Sequence, residues 1–196
     1  MMNLMKNVDV PKVVMSDRLE LRMLTVDMVE DLNNAIHASL EEFKPWFIWI
    51  HPKAPTLEET IEFTGKNIQG QESKEEFHYC IYLKGTNTMV GRVSLDKVKP
   101  DVPSFNIGYW LDSRYTGKGY MLEAASALVS MAWNELPVRR LEIYHDSENE
   151  ASAKVIAKLV EQFGFHYEGE EVNCMRRPLD DTLRSHKGYA LTRNDD

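Results

Sequence analysis

The sequence predicts a mixed α/β (α+β) fold built around a mostly antiparallel central sheet. Three alternating segments, 77–83, 88–95 and 104–112, follow one another along the chain, which is typical of an antiparallel meander. A long, mostly apolar run over 118–134 then leads to a further strand-like segment at 140–146. A strand, helix and strand in this order make a parallel crossover. We therefore expect one parallel pair within the sheet, and about four helices around it.

Size and composition favour one domain over residues 1–196 and exclude several classes of protein. A net charge of −8 argues against a nucleic-acid partner. No apolar stretch approaches the roughly 20 residues of a membrane span, and the N-terminus lacks the apolar core of a signal peptide. Cys80 and Cys174 have no metal-ligand spacing. We expect a cytoplasmic protein without a membrane segment or a metal.

The N-terminal third predicts a strand and a helix. Residues 18–23 alternate in polarity, as a half-buried strand does. A helix follows, capped by Thr25 or Asp27 and ending near Ser39. The expected buried faces are Leu19, Leu21 and Met23 on the strand and Val29, Leu32 and Ile36 on the helix.

An aromatic segment follows at residues 43–50, interrupted by Pro45. Such a run is compatible with simple core. Its proline and its two tryptophans, Trp46 and Trp49, favour a loop or short helix that forms one wall of a substrate pocket.

The remaining elements have clear boundary signals. Thr56 and Glu59 form a capping box for a helix that we expect to end at Gly70. Residues 84–87 have the composition of a hairpin turn. A helix over 150–162 and a short strand at 188–191 complete the order. The helix's expected apolar stripe is Ala151, Val155, Leu159 and Phe163.

The stretch from Arg114 to Met121 has the pattern of a phosphate-binding loop. It joins a predicted strand to a predicted helix and contains Gly117 and Gly119. Backbone N–H groups at a helix N-terminus bind phosphate in this arrangement. Glycines at such a turn also occur merely to relieve crowding. The residues alone leave both interpretations open.

The surrounding residues resemble the GNAT acetyltransferases, in particular the RimJ/RimL-type branch. Arg114-x-x-Gly117-x-Gly119 matches that family's acyl-coenzyme A signature, and the resemblance extends over most of the chain. It implies a sheet in which two parallel strands splay apart. The further matching segments are Arg18-Leu-x-Leu-Arg22, Pro45-Trp46, Gly108-Tyr-Trp-Leu111, Asp146-x-x-Asn149-x-x-Ser152, Gly164-Phe165 and Tyr189-Ala-Leu191.

The resemblance implies an N-acetyltransferase that uses acetyl-CoA and a primary amine, either a protein N-terminus or a small amine. It gives Ser152 as the general acid, although Ser152 and Asn149 also suit simple helix caps. Trp46, Trp49 and Asn106 would contact the acceptor, together with region 170–187. A homodimer is a family-level expectation. The implied cofactor-binding residues are Trp110, Leu111, Arg114, Tyr115, Thr116, Gly117, Lys118, Gly119, Tyr120, Asn149 and Ser152.

Two departures from the family pattern leave the catalytic base open. Relatives often carry an acid at the position of Asn106, and the best-described members of this branch carry a second acid, proposed as the catalytic base, at the position of Met175. Attack by the neutral amine without a protein base is one alternative. A non-catalytic acyl-CoA-binding module is another. The titratable candidates for a base are His145, Glu142, Asp112, Glu170 and His78.

Overall fold

The computed structural model describes residues 8–51, 53–99, 102–177 and 179–193, except for the side chains of 97–99. The helices are α1 (Val29–Ala38), α2 (Leu40–Phe43), α3 (Leu57–Glu72), α4 (Tyr120–Glu135) and α5 (Glu150–Phe163). The strands are β1 (Val13–Met15), β2 (Leu19–Met23), β3 (Phe77–Leu83), β4 (Met89–Lys99), β5 (Ser104–Leu111), β6 (Arg140–Asp146), β7 (His166–Arg176) and β8 (Leu183–Thr192).

The eight strands form a single sheet in the order β1-β2-β3-β4-β5-β6-β8-β7. Every neighbouring pair is antiparallel except β5 and β6, which are parallel. The predicted meander and the predicted parallel crossover are both confirmed.

Helices cover both faces of this sheet. Helix α4 packs on β1, β2, β4 and β5, and α5 packs beside it on β6. Helices α1 and α3 pack together on β3 and β4. The larger core lies under α4 and α5, and a smaller core under α1 contains Leu32, Ile36 and Phe43. Among the described residues, no helix is both long and apolar enough to cross a membrane.

Several predicted details are wrong. Thr25 precedes the first helical turn, but its side chain makes no capping bond there. On α5, Ala151 is exposed and Ile156 is buried in its place. The C-terminal strand is longer than predicted and pairs with β7, a strand that the sequence analysis missed. Strand β7 is almost wholly exposed, so its residues show no alternation of polarity.

Gly70 does not end α3, which continues to Glu72. A side chain at Gly70 would collide with another residue: a Cβ placed there would lie 2.5 Å from Cγ of Glu76. The glycine therefore makes room for Glu76 against the helix. The capping box of Thr56 and Glu59 at the start of α3 is present as predicted.

Candidate active site

Strands β5 and β6 separate halfway along their length. Their paired residues run from Ser104 with Arg140 to Ile107 with Ile143. Beyond Ile107, β5 continues to Leu111 and stays paired with β4, while β6 continues and stays paired with β8. An opening between two adjacent strands therefore lies in the middle of the sheet. It exposes backbone donors and acceptors of β5 that a sheet neighbour would normally bond.

The glycine loop lies at the end of β5. Gly117 has φ +75° and Gly119 has φ +79°, values that favour glycine. Gly119 immediately precedes α4, so the first N–H groups of this helix lack intrahelical acceptors. The loop and the strand opening are thus adjacent, and together they offer donors to an anion and to an extended polar chain.

Contacts from both sides hold this loop in place. Glu123, in the first turn of α4, accepts hydrogen bonds from Ser16 Oγ (2.7 Å) and from the Arg18 side chain (2.7 Å). Burial alone would raise the pKa of Glu123, but these hydrogen bonds outweigh it and lower the pKa. On the other side, the fully buried Asp112 accepts from Arg114 Nε at 3.0 Å. Both carboxylates therefore anchor the loop.

A hydroxyl pair lies beside the strand opening. Tyr109 Oη and Ser152 Oγ are 2.8 Å apart, which brings β5 and α5 together. Burial raises the pKa of Tyr109 to about 12, so its hydroxyl keeps its proton at neutral pH. Asn149 Oδ1 accepts from Ser152 N at 3.0 Å and so caps α5. Asn149 thus has the capping role that the sequence allowed.

A cavity of about 590 Å³ reaches the same part of β5 from the opposite face of the sheet. Its walls are mainly apolar and come from α1, α3 and the aromatic segment, which contributes Phe47 and Trp49. Gly108, Tyr109 and Trp110 of β5 also line it. The strand opening and the cavity therefore meet at the stretch where β5 leaves β6.

The floor of the cavity is a cluster of polar side chains from α3, β3, β4 and the residue before β3. His78 Nε2 lies 3.0 Å from Glu76 Oε1, and His78 Nδ1 lies 3.6 Å from Asp96 Oδ1. Arg92 is buried beside His78, bonds its Nδ1, and donates to Asn67 Oδ1 at 2.9 Å. This polar floor, Asn67, Glu76, His78, Arg92 and Asp96, places two carboxylates, a guanidinium and an imidazole in a largely apolar pocket.

His78 is neutral within the polar floor. Burial and the neighbouring Arg92 lower the pKa of its imidazole from 6.5 to about 4. Since Arg92 donates to Nδ1, the proton of the neutral ring is assigned to Nε2, which lies 3.0 Å from Glu76 Oε1. His78 therefore orients two charged neighbours rather than adding a charge itself.

The predicted acceptor residues fall in three different places. Trp49 lines the cavity. Trp46 does not line the cavity. Its ring lies under the Arg184 guanidinium, whose Cζ is 5.4 Å from the centre of the Trp46 ring. Asn106 is on β5 directly opposite Asp96 of β4, and its Oδ1 is buried without a hydrogen-bond partner among the described residues. No residue of region 170–187 is among those lining the cavity in the described part of the chain.

Four of the five proposed bases lie outside the cavity lining. His145 is buried, with Nδ1 2.7 Å from the Asp146 carbonyl. Glu142 accepts from Arg140, and Glu170 is exposed on β7. Asp112 is paired with Arg114, as described above. Only His78 lines the cavity.

Of the polar floor, only His78 was predicted from the sequence as a candidate site residue. Arg92, Ser94 and Asp96 occupy alternate positions of β4, where a buried face would normally be apolar. That run of polar residues was the available signal. The described residues also place Glu76, His78 and Asp96 close enough for one metal ion, with ligand atoms within 4.8 Å of one another.

Comparison with known proteins decides the family. The model described as "Acetyltransferase (GNAT) domain" matches residues 18–160, which contain the glycine loop, both splayed strands and the polar floor. The chain belongs to the GNAT acetyltransferase family.

Two curated relatives of this GNAT chain are informative. The probable N-acetyltransferase YjcK of Bacillus subtilis (strain 168) is 35% identical over 99 residues, which are 50% of this chain and 52% of that protein. The match thus spans about half the length of YjcK. The ribosomal-protein-serine acetyltransferase of Escherichia coli (strain K12) is 25% identical over 142 residues, covering 71% of this chain and 76% of that protein.

Solved structures share the whole fold. RimL, a ribosomal L7/L12 alpha-N-protein acetyltransferase solved with coenzyme A, superposes with a TM-score of 0.84 at 24% identity, covering 94% of this chain and 99% of RimL. The microcin C7 self-immunity acetyltransferase MccE, solved with acetyl-CoA and AMP, gives 0.79 at 18% identity, covering 91% and 94%. The predicted GNAT-like sheet with splayed parallel strands is confirmed.

Proposed function

We propose that this protein is an acetyl-CoA-dependent N-acetyltransferase that transfers an acetyl group to a primary amine by direct attack in a ternary complex. The observation that carries the proposal is that a candidate cofactor site and a candidate acceptor site both reach one stretch of β5. The strand opening and the glycine loop reach it along the sheet, and the cavity reaches residues Gly108–Trp110 from the face covered by α1 and α3.

The chain's residues fit acetyl-CoA, which supplies the activated thioester. Gly117 and Gly119 leave the backbone of the loop open to a pyrophosphate, and the N-terminus of α4 supplies N–H donors. Trp110 and Leu111 lie in the part of β5 beyond its pairing with β6. The side of their backbone that faces β6 is therefore available to the extended arm of coenzyme A. The same backbone would stabilise an oxyanion at the thioester carbonyl.

The hydroxyl pair supplies a proton for the departing sulfur. Ser152 is partly exposed, and its Oγ is held by Tyr109, which keeps its own proton. Ser152 is the proposed general acid, and Tyr109 orients it. Hydrogen-bond reach to the sulfur is the geometric requirement for this role.

The proposed acceptor is a protein N-terminus or a small amine. The relatives named as ribosomal-protein acetyltransferases favour a protein N-terminus. The cavity is compatible with such an acceptor, since its aromatic walls and its volume of about 590 Å³ accommodate a peptide side chain as well as its amine.

The test measures thiol release from acetyl-CoA with a panel of acceptors: N-terminal seryl and alanyl peptides, spermidine and glucosamine. We expect turnover with at least one acceptor. Gly117→Glu should abolish turnover and coenzyme A binding, because it adds bulk and negative charge to the phosphate loop. Saturating coenzyme A should raise the melting temperature of the wild type by about 5 °C, and that of Gly117→Glu by none.

Three results separate the candidate functions. Turnover that is lost in Gly117→Glu supports the enzyme. Coenzyme A binding without turnover across the panel supports a non-catalytic acyl-CoA-binding module, the alternative that the residues Asn106 and Met175 suggest. Failure of the wild type to bind coenzyme A contradicts both functions.

A further inference from the structure

Asp96 lies at the point in the cavity where β5 leaves β6. A Cβ placed on Gly108, the first residue of β5 beyond the paired stretch, would lie 2.6 Å from Asp96 Oδ2. The carboxylate thus rests against the backbone of Gly108. Ser94 Oγ donates to the same oxygen at 3.0 Å, and the Asp96 side chain keeps 26% of its surface exposed, toward the cavity that it lines.

Asp96 also faces the position where the family pattern has an acid. Asp96 and Asn106 are directly opposite each other on β4 and β5. Paired residues on one face of a sheet have Cβ atoms about 5 Å apart. A carboxylate at Asp96 therefore reaches nearly the same space as one at Asn106 would. Met175 has no such substitute, since it is exposed on β7 and does not line the cavity.

Other titratable and charged groups pack around Asp96. His78 Nδ1 lies 3.6 Å from Oδ1, and the positive charge of Arg92 acts on Asp96 from the same strand. Glu76 is held on the far side of His78. Among the described residues, the other charged or titratable groups that line the cavity are His51, Lys53, Glu59 and Tyr109.

We propose that Asp96 is the general base that takes a proton from the acceptor amine, an inference that rests on the proposed function. The ammonium gives one proton to Asp96, and its nitrogen lone pair then forms the C–N bond with the thioester carbonyl. The C–S bond breaks, and the sulfur takes a proton as the free thiol. The nitrogen's second proton replaces the one that the sulfur has taken, and the proton held by Asp96 passes to solvent, so one proton in total is released.

The remaining polar floor positions Asp96. His78 lies against Asp96 on one side and Glu76 on the other, and Arg92 fixes the ring. A divalent cation held by the three titratable groups is the competing interpretation. The guanidinium of Arg92, bonded to the same imidazole nitrogen that faces Asp96, opposes it because like charges repel.

The principal test is Asp96→Asn, which keeps the size and the bond from Ser94. The acceptor is whichever panel member the wild type acetylates fastest. We expect kcat to fall about 100-fold, with KM for acetyl-CoA and the melting temperature unchanged. The residual rate should rise with pH up to the pKa of the acceptor amine, because only the neutral amine then reacts. Glu62→Gln, on the exposed surface of α3, is the matched control and should keep wild-type kcat.

A second test moves the carboxylate across the β4–β5 ladder. In the background of Asp96→Asn, the further change Asn106→Asp should restore kcat at least tenfold and return the pH profile toward that of the wild type. If Asp96 had only a structural role, Asn106→Asp would not restore kcat, because a carboxylate on β5 does not re-form the bond with Ser94 or the contact with His78.

Several outcomes would overturn the inference. Wild-type kcat and pH profile in Asp96→Asn would exclude Asp96 as the base while leaving the proposed transferase intact. Loss of wild-type activity in EDTA with recovery on adding Zn²⁺ would favour the metal interpretation. If the wild type turns over no member of the panel, the proposed function itself fails, and the base assignment fails with it.

Discussion

His78 couples stability to pH because its imidazole is neutral in the folded protein. Its pKa is lowered from 6.5 to about 4 by burial and by Arg92, so between these values the unfolded chain binds a proton that the folded chain does not. Folding stability contributed by His78 is therefore complete above pH 6.5 and is lost as pH falls toward 4. A shift of this size corresponds to about 3 kcal/mol.

We predict that urea unfolding of the wild type between pH 7 and pH 4.5 will show this loss, and that His78→Gln will show a smaller one. Because other groups titrate in the same window, the difference between the two proteins is the measurement. Parallel pH curves for wild type and His78→Gln would contradict a neutral buried His78.

Ser152 and Tyr109 should act as one unit in catalysis. Their oxygens are 2.8 Å apart, and residues in direct contact show non-additive effects. We predict that Ser152→Ala lowers kcat about 100-fold and Tyr109→Phe about tenfold. The double variant should match Ser152→Ala alone, as measured by thiol release at saturating acetyl-CoA. Fully additive losses would show that Tyr109 does not work through Ser152.

Helix α3 carries a matched pair of glycines with opposite surroundings. A Cβ at Gly65 meets nothing within 4 Å, whereas one at Gly70 meets the Glu76 side chain at 2.5 Å. Gly65→Ala should raise the free energy of unfolding by about 0.5–1 kcal/mol, the usual gain in a helix. Gly70→Ala should gain less, because Glu76 must leave its place beside His78.

The same pair distinguishes a structural glycine from a site-forming one. Gly70→Ala should lower kcat with the acceptor while coenzyme A binding stays at its wild-type value, because the polar floor is disturbed and the glycine loop is not. Gly65→Ala should leave kcat unchanged. Equal kinetics for the two variants would mean that the position of Glu76 has no role in turnover.

The elements differ in how far their residues predicted them. Strand β3 and strand β6 were predicted with their observed bounds, because alternating polarity and turn residues marked both ends. Strand β7 was missed, since it lies at the sheet edge and exposes both faces. The prediction that α3 ends at Gly70 is wrong, because the sequence does not show that Glu76 packs against this glycine.

The two parts of the candidate site also differ in how far the sequence predicted them. The glycine loop is local in sequence, so its motif was visible, and the structure places it before α4 as expected. The polar floor is assembled from α3, β3 and β4 by pairing between strands. Asp96 gains its significance from its neighbour Asn106 across the ladder, and no spacing along the chain reveals that contact.

A buried ion pair connects distant parts of the molecule. Arg184 of β8 pairs with Asp146 of β6, and both side chains are almost completely buried. Arg184 also donates to the Pro45 carbonyl at 2.8 Å and stacks on Trp46. It therefore ties the C-terminal hairpin and the end of β6 to the aromatic segment that borders the cavity.

We predict that Asp146→Asn lowers the free energy of unfolding by about 3 kcal/mol at pH 7, because Arg184 is left buried without its counter-charge. Glu62→Gln, which breaks the exposed pair with Lys66, should change it by less than about 0.5 kcal/mol. Equal values from chemical denaturation of the two variants would contradict the role of the buried pair.

The separation of β5 from β6 gives the sheet an unfilled position in its interior. Sheets usually have free margins only at their outer strands, where charge and short length discourage pairing. Here β5 and β6 have unpaired edges inside the sheet, beyond Ile107 and Ile143. A coenzyme arm bound as proposed would take the place of a strand there, so each catalytic cycle would complete the sheet and then take it apart again.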